Sequence, residues 1–286
     1  SGDTLLAHVD HLPKPHGSSA YRRAASRITV LSSASTLAQE RLRSAFGLPE
    51  GRVAVTGEPR VDVLSRMTPE ERHAHGRALI AARIGPLPSD NPRFVLYAPT
   101  WRDGEPDPAA PSPAQWARIL EVLRDHDAVL LVRSHPLGVK EYAPRTEGSS
   151  NRVRNLGSGI MHDVTPALPG IDVLVTDYSS LAFDVGLNET PVVYLAPDVA
   201  MYGTRRGFYG RYEDLAGDDY ATDWDEAVSG VAAILADVVT QRERSARSKA
   251  LSARAHAFRD GRNTERVYDL VIETLAREDA AIQKAK

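Results

Sequence analysis

The sequence predicts an α/β protein of the doubly wound type, built from parallel strands with helices on both faces. Three observations carry that class. Short apolar runs of strand length recur along the chain, several with helical-period segments between them, and the runs are apolar at odd and even positions alike. A strand covered on only one face alternates; a strand buried on both faces does not.

Taken in order, "RITVL" (27–31) reads as a first strand, and "ASTLAQERLRSAF" places Ala38, Leu42, Ala45 and Phe46 at helical spacing behind it. "RVAVTG" (52–57) is the next strand. Residues 65–92 carry a polar helix and then a stretch rich in Pro, Ser, Asp and Asn, a composition suited to a crossing between two lobes. "FVLYA" (94–98), "AVLLV" (128–132), "IDVLVT" (171–176) and "PVVYL" (191–195) are four further strands. Between the first two, Trp116, Ile119, Leu120 and Leu123 line one helical face. "DGEPDPAAPSP" (103–113) reads as a surface loop over a cleft. Val228, Val231, Leu235 and Val238 give another helical stripe near the end, and no internal repeat is present.

Composition narrows the function classes. With 42% hydrophobic and 26% charged residues over 286, the chain has the balance of a globular protein of up to two domains. No run reaches the roughly 18 apolar residues that a membrane helix needs, and the first residues lack a signal-peptide pattern. The expectation is therefore a cytoplasmic protein. Zero cysteines exclude disulfides and thiolate metal sites. A formal net charge of −3 argues against a nucleic-acid partner.

The chemistry gathers at strand ends. "TDYSSLAFDVGL" follows the "IDVLV" run, so Ser179 and Ser180 would open a helix at the carboxyl end of a strand, where backbone N–H groups and the helix dipole favour phosphate oxygens. Asp184, one turn on, would reach ribose hydroxyls. The same residues also suit a plain helix cap. "FVLYAPTWRD" ends in Pro99, Thr100 and Trp101, and "VLLVRSHP" ends in Arg133 and His135. Three neighbouring strands thus end in hydroxyl, guanidinium or imidazole groups. An imidazole at a strand mouth can donate to phosphate or move a proton. "YGTRRGFY" adds Arg205 and Arg206 in a glycine-punctuated loop suited to clamping phosphate.

These blocks, "YAPTWR", "RSHP", "TDYSSLAFDVGLNETPVVYLAPD", "RRGFYGRYEDLAG" and "FRDGRNTERVYDLV", with "VTGEPRVDVL" before them, resemble the CDP-glycerol glycerophosphotransferases, the family of teichoic acid primases and polymerases. The resemblance implies a GT-B-like fold, two Rossmann-like lobes with parallel sheets, the first short or truncated. Residues 1–66 are then the partial acceptor-side lobe, 67–92 a linker, 93–275 the donor-binding lobe and 276–286 a charged tail. It further implies transfer of a polyol phosphate from a CDP-activated donor to a polyol-phosphate or glycan acceptor, with CMP released. The sequence holds no acidic ligand cluster and no HExxH, so no metal or cofactor is expected. His135, expected to be catalytic, and Ser179, Ser180, Arg206 and Arg133 would hold the donor diphosphate; Pro99, Thr100, Trp101 and Asp184 would border the nucleoside. The first-lobe base would be His11, with His8 and His16 as alternatives. The resemblance also implies a cytoplasmic place at the inner face of the cell membrane, with peripheral association through segments outside this sequence. Two other readings remain open at this point: an enzyme like UDP-N-acetylglucosamine 2-epimerase, whose glycine-rich "DSGG" turn is here "DYSS", and a non-catalytic nucleotide- or polymer-binding module.

Overall fold

A computed structural model of the chain describes residues 25–100, 107–133, 142 and 151–284. Two parallel sheets organise it. The smaller pairs β1 (Leu31–Ser33) with β2 (Val53–Val55), joined through helix α1 (Thr36–Phe46). The larger contains β3 (Arg93–Tyr97), β4 (Ala128–Val132), β5 (Val153–Asn155), β6 (Val173–Thr176) and β7 (Val192–Tyr194), in the order β5-β4-β3-β6-β7. Between the sheets run a 3₁₀ turn, Pro59–Leu64, and helix α2 (Pro69–Ile84).

The alternation hidden in the apolar runs becomes visible here. Phe94, Leu96, Val129, Leu131 and Leu174 face one core, while Val95, Tyr97, Leu130, Val132 and Val175 face the other. Helices α3 (Pro113–Asp125) and α7 (Trp224–Ala236) cover the second face through Trp116, Ile119, Val228 and Val231. Several of the helix starts are capped by local side chains. Thr68 and Glu71 form a capping box on α2, and Ser112 and Gln115 form one on α3. Asp237 caps α8 (Val238–Ala255) by accepting from the amides of Val239 and Thr240.

Some elements depart from expectation. The first strand begins at Leu31, not at residue 27, because the Ile28 amide closes a turn on the Ala25 carbonyl and the ladder to Arg52 opens only at Leu31. β5 is unheralded in the sequence: three residues with one buried side chain leave no periodicity to read. Val238 does not continue the stripe of α7; it opens α8 and is 54% exposed, and Ile234 fills the core instead. The polar helix expected within residues 65–92 is α2, which packs on the flank of the large sheet through Arg77 and Ile80. A Cβ on Gly76 would stand 2.5 Å from the Gly170 amide nitrogen, so only glycine lets α2 approach the 3₁₀ turn Thr165–Gly170 this closely. The described end of the 103–113 loop is pinned down too: Asp107 accepts from the hydroxyls of Tyr97 and Tyr142 at 2.7 and 2.6 Å, and the Ala109 carbonyl accepts from the Trp224 indole at 2.6 Å. The last helix, α9 (Asn263–Lys284), returns to the junction between the sheets, where the buried Asp62 accepts from the amides of Asn263 and Thr264.

Candidate functional site

The strand order makes β4, β3 and β6 adjacent, so the polar residues that follow them open on one edge of the sheet. Side chains lock those ends together. Thr176 donates its hydroxyl to the Ala98 carbonyl at 2.6 Å, and Asp177 accepts from the Thr100 amide at 2.8 Å and from its neighbour Tyr178 at 2.6 Å. Asp177 is thereby a buried clip between the β3 and β6 ends, fixing Pro99 and Thr100 beside the serine turn.

Below that turn lies an aromatic stack. Tyr178 points inward, donates to Asp198 at 2.8 Å and stacks on Tyr202 at 4.0 Å. Phe208 and Tyr212 pack on the same ring at 5.5 and 5.1 Å, and Tyr212 donates to the Asp177 carbonyl. Burial pushes both tyrosine hydroxyls far above their ordinary pKa, and the carboxylates nearby push them further. They stay neutral donors at any working pH. Tyr202 lies on helix α5 (Val199–Arg205), and the half-buried Arg206 follows it directly. The rings therefore pack α5, which leads into the arginine loop, against the residue before the serine turn.

With Tyr178 turned inward, Ser179 and Ser180 remain half-exposed at the start of α4 (Leu181–Val185). Ser179 accepts from the Leu181 amide at 3.3 Å. Ser180 occupies the cap position in helical conformation, and its side chain makes no capping bond, contrary to the expectation that both serines cap. Ser180 lines a cavity of about 540 Å³ shared with Glu58, Arg60, Asp184, His256 and the apolar Phe46.

Two of the expected site residues have protein partners. Arg133 donates to the carbonyls of Leu156, Met161 and His162 at 2.9, 2.8 and 3.1 Å. Its guanidinium thereby holds the loop after β5; burial lowers its pKa, partly offset by Asp163. Asp184, expected at a ribose, is 1% exposed and takes a two-pronged contact from Arg60, at 2.5 and 3.2 Å. Burial disfavours the Arg60 cation, but Asp184 and Glu58 outweigh it and hold its pKa above the ordinary value. Arg60 stands on the turn after β2 and Asp184 on α4, so the pair ties the two sheets together. His256 is the residue that sequence reading missed. It is 4% exposed, its Nε2 stands 3.3 Å from Asp184 Oδ1, and neither ring nitrogen makes a hydrogen bond. His11, Trp101 and His135 lie outside the described residues.

Among the described residues no group of three His, Cys, Asp or Glu side chains is gathered as for a metal ion. No helix among them is long and apolar enough to cross a membrane.

A doubly covered parallel sheet whose adjacent strand ends carry the polar loops, with a second parallel sheet across a cavity, places the chain in the GT-B-like α/β class. Solved structures agree. The wall teichoic acid polymerase TagF superposes with a TM-score of 0.75 at 26% identity, over 96% of this chain and 67% of that one. The UDP-GlcNAc 2-epimerase of Neisseria meningitidis superposes with a TM-score of 0.54 at 12% identity, over 88% and 63%, a likeness of fold alone. The chain belongs to the CDP-glycerol:poly(glycerophosphate) glycerophosphotransferase family, whose model matches residues 6–273. A teichoic acid poly(glycerol phosphate) polymerase of Staphylococcus epidermidis is 33% identical over 209 residues, 70% of this chain and 27% of that protein. The chain thus spans about a quarter of that relative's length.

Proposed function

We propose that this protein transfers a polyol phosphate, glycerol phosphate or a close relative, from a CDP-activated donor to an acceptor hydroxyl in the synthesis of a teichoic-acid-like polymer. The observation that carries the reading is the junction of the β4, β3 and β6 ends, where the Asp177 clip and the Tyr178 stack leave two serines and an arginine loop facing outward in a chain of this family.

In this reading residues 93–275 bind the donor and 1–66 form the acceptor side. Ser179, Ser180, Arg206 and His135 hold the diphosphate, with Pro99, Thr100 and Trp101 beside the nucleoside. Arg133 keeps the neighbouring loop in place, and Asp184 positions Arg60. The acceptor oxygen attacks the β-phosphorus, the bond from that phosphorus to the bridging oxygen breaks, and CMP leaves with the electron pair. The acceptor proton passes to the neutral imidazole of His11. Phosphoryl transfer of this kind depends mainly on alignment and on neutralising oxygen charge. Arginine and neutral hydroxyl donors supply both. The site of action is the cytoplasm, at the membrane's inner face, where a CDP-linked donor and a growing polymer meet.

The test is incubation with CDP-glycerol, CDP-ribitol and UDP-N-acetylglucosamine, following thermal protection, CMP release and epimer formation. Protection by a CDP compound, with CMP released when acceptor is added, is the expected result. Epimer formation without CDP binding would overturn the reading, and CDP binding without turnover would reduce it to a binding module.

A further inference from the structure

Beside the serine cavity lies a second, smaller one of about 130 Å³, bounded by α1, the end of α8 and the loop that continues from Arg206. Phe183 lines both, so the two are separated by one side chain. Three arginines, Arg41, Arg211 and Arg254, line the small cavity with one lining carboxylate, Asp214, and Glu213 pairs with Arg211 beside it.

The arginines differ in how they are held. Arg211 leans on Glu213 at 3.3 Å. Arg41 lies 4.8 Å above the Tyr209 ring, which presets its guanidinium plane. Arg254, in the last turn of α8, makes no hydrogen bond or ion pair among the described residues. Arg41 and Arg254 oppose each other electrostatically, and this repulsion adds to burial in lowering the pKa of Arg41. An anion between them would relieve that repulsion. The cavity is well below the roughly 300 Å³ at which pockets for larger ligands begin, so it does not fit a nucleoside but does fit one phosphate with the carbons next to it.

Resting on the proposed function, we infer that Arg41, Arg254 and Arg211 form a binding site for a phosphodiester of the acceptor chain, next to the cavity in which its terminal hydroxyl meets the donor. A phosphodiester is a permanent monoanion with two free oxygens, which matches the fork of a guanidinium. The site would favour an acceptor that already carries phosphate over a bare polyol.

The experiment is calorimetric titration of the whole chain with three probes: a trimer of glycerol units joined by phosphodiesters, CDP, and inorganic phosphate. Wild type is compared with Arg254→Gln, Arg254→Lys and the Arg41→Gln/Arg254→Gln pair. Arg254 is exposed on a helix end, so its variants keep the fold, as circular dichroism will verify. The expected result is trimer binding weakened about tenfold by Arg254→Gln and further by the pair, the scale of lost charged hydrogen bonds. Arg254→Lys should restore part of it, the salt dependence of trimer binding should flatten, and CDP affinity should stay within twofold. Four results would each overturn the assignment: no trimer binding by wild type, equal trimer affinity in the variants, an equal loss of CDP affinity, or inorganic phosphate competing as well as the trimer. Failure of CDP to bind any form, with the arginine effect on the trimer intact, would instead sink the donor reading and leave the phosphate site standing.

Discussion

Asp62 is the most instructive residue to perturb, because one carboxylate fixes the start of α9 to the junction between the sheets. It is 2% exposed and accepts from the Asn263 amide at 2.8 Å, the Thr264 amide at 2.9 Å, the Thr264 hydroxyl at 2.7 Å and Arg66 at 3.3 Å. Asp62→Ala removes all four and leaves two amides of a helix start without an acceptor. A lost cap costs about 1 kcal/mol and hydrogen bonds to a charged group about 1.5–3 kcal/mol each. Water entering the gap recovers part, so we expect a net loss of about 3 kcal/mol. Burial pushes the Asp62 pKa up, but the Thr264 hydroxyl, the two amides and Arg66 outweigh it and set it below the ordinary carboxylate value. A depressed folded pKa means that the contribution is complete above the unfolded value, about 4, and fades as pH falls through the folded one. The gap between wild type and Asp62→Ala should therefore be constant from pH 5 to 8 and close toward pH 3. Urea unfolding followed by tryptophan fluorescence gives the gap, and hydrogen exchange over residues 263–270 locates it. Unchanged protection of the first turn of α9, or a gap that widens in acid, would refute the reasoning.

Three further outcomes are expected. Gly76→Ala should cost about 1–3 kcal/mol by overpacking against Gly170, and a wild-type urea midpoint would show that α2 can shift freely. Arg60→Ala strands the 1%-exposed Asp184 and should cost about 3 kcal/mol, the low end for a broken buried pair because Arg60 is itself partly exposed; restoration by the second change Asp184→Asn in a thermal melt is the check. Ser179→Ala with Ser180→Ala should weaken CDP binding by about 1–3 kcal/mol with the melting temperature held, and unchanged calorimetric affinity would remove the serines from the donor site.

Much of this architecture was legible from residue order because it is local. Strand and helix positions follow from periodicity and caps within a few residues, as in "FVLYA" or the Ser112 box, and the family blocks marked the three strand ends that the sheet then brings side by side. What sequence could not decide is where long polar side chains end. Nothing near Arg133 in the sequence shows that its guanidinium bonds the carbonyls of Leu156, Met161 and His162 in the loop after β5. Nothing near Asp184 in the sequence shows that Arg60, 124 residues earlier, contacts both its oxygens. His256 carried no local signal at all, and only the folding of α8 against α4 buries it beside Asp184. A guanidinium or carboxylate takes its role from the nearest group of opposite character in a low-dielectric interior, and that neighbour is chosen by tertiary packing, not by adjacency along the chain.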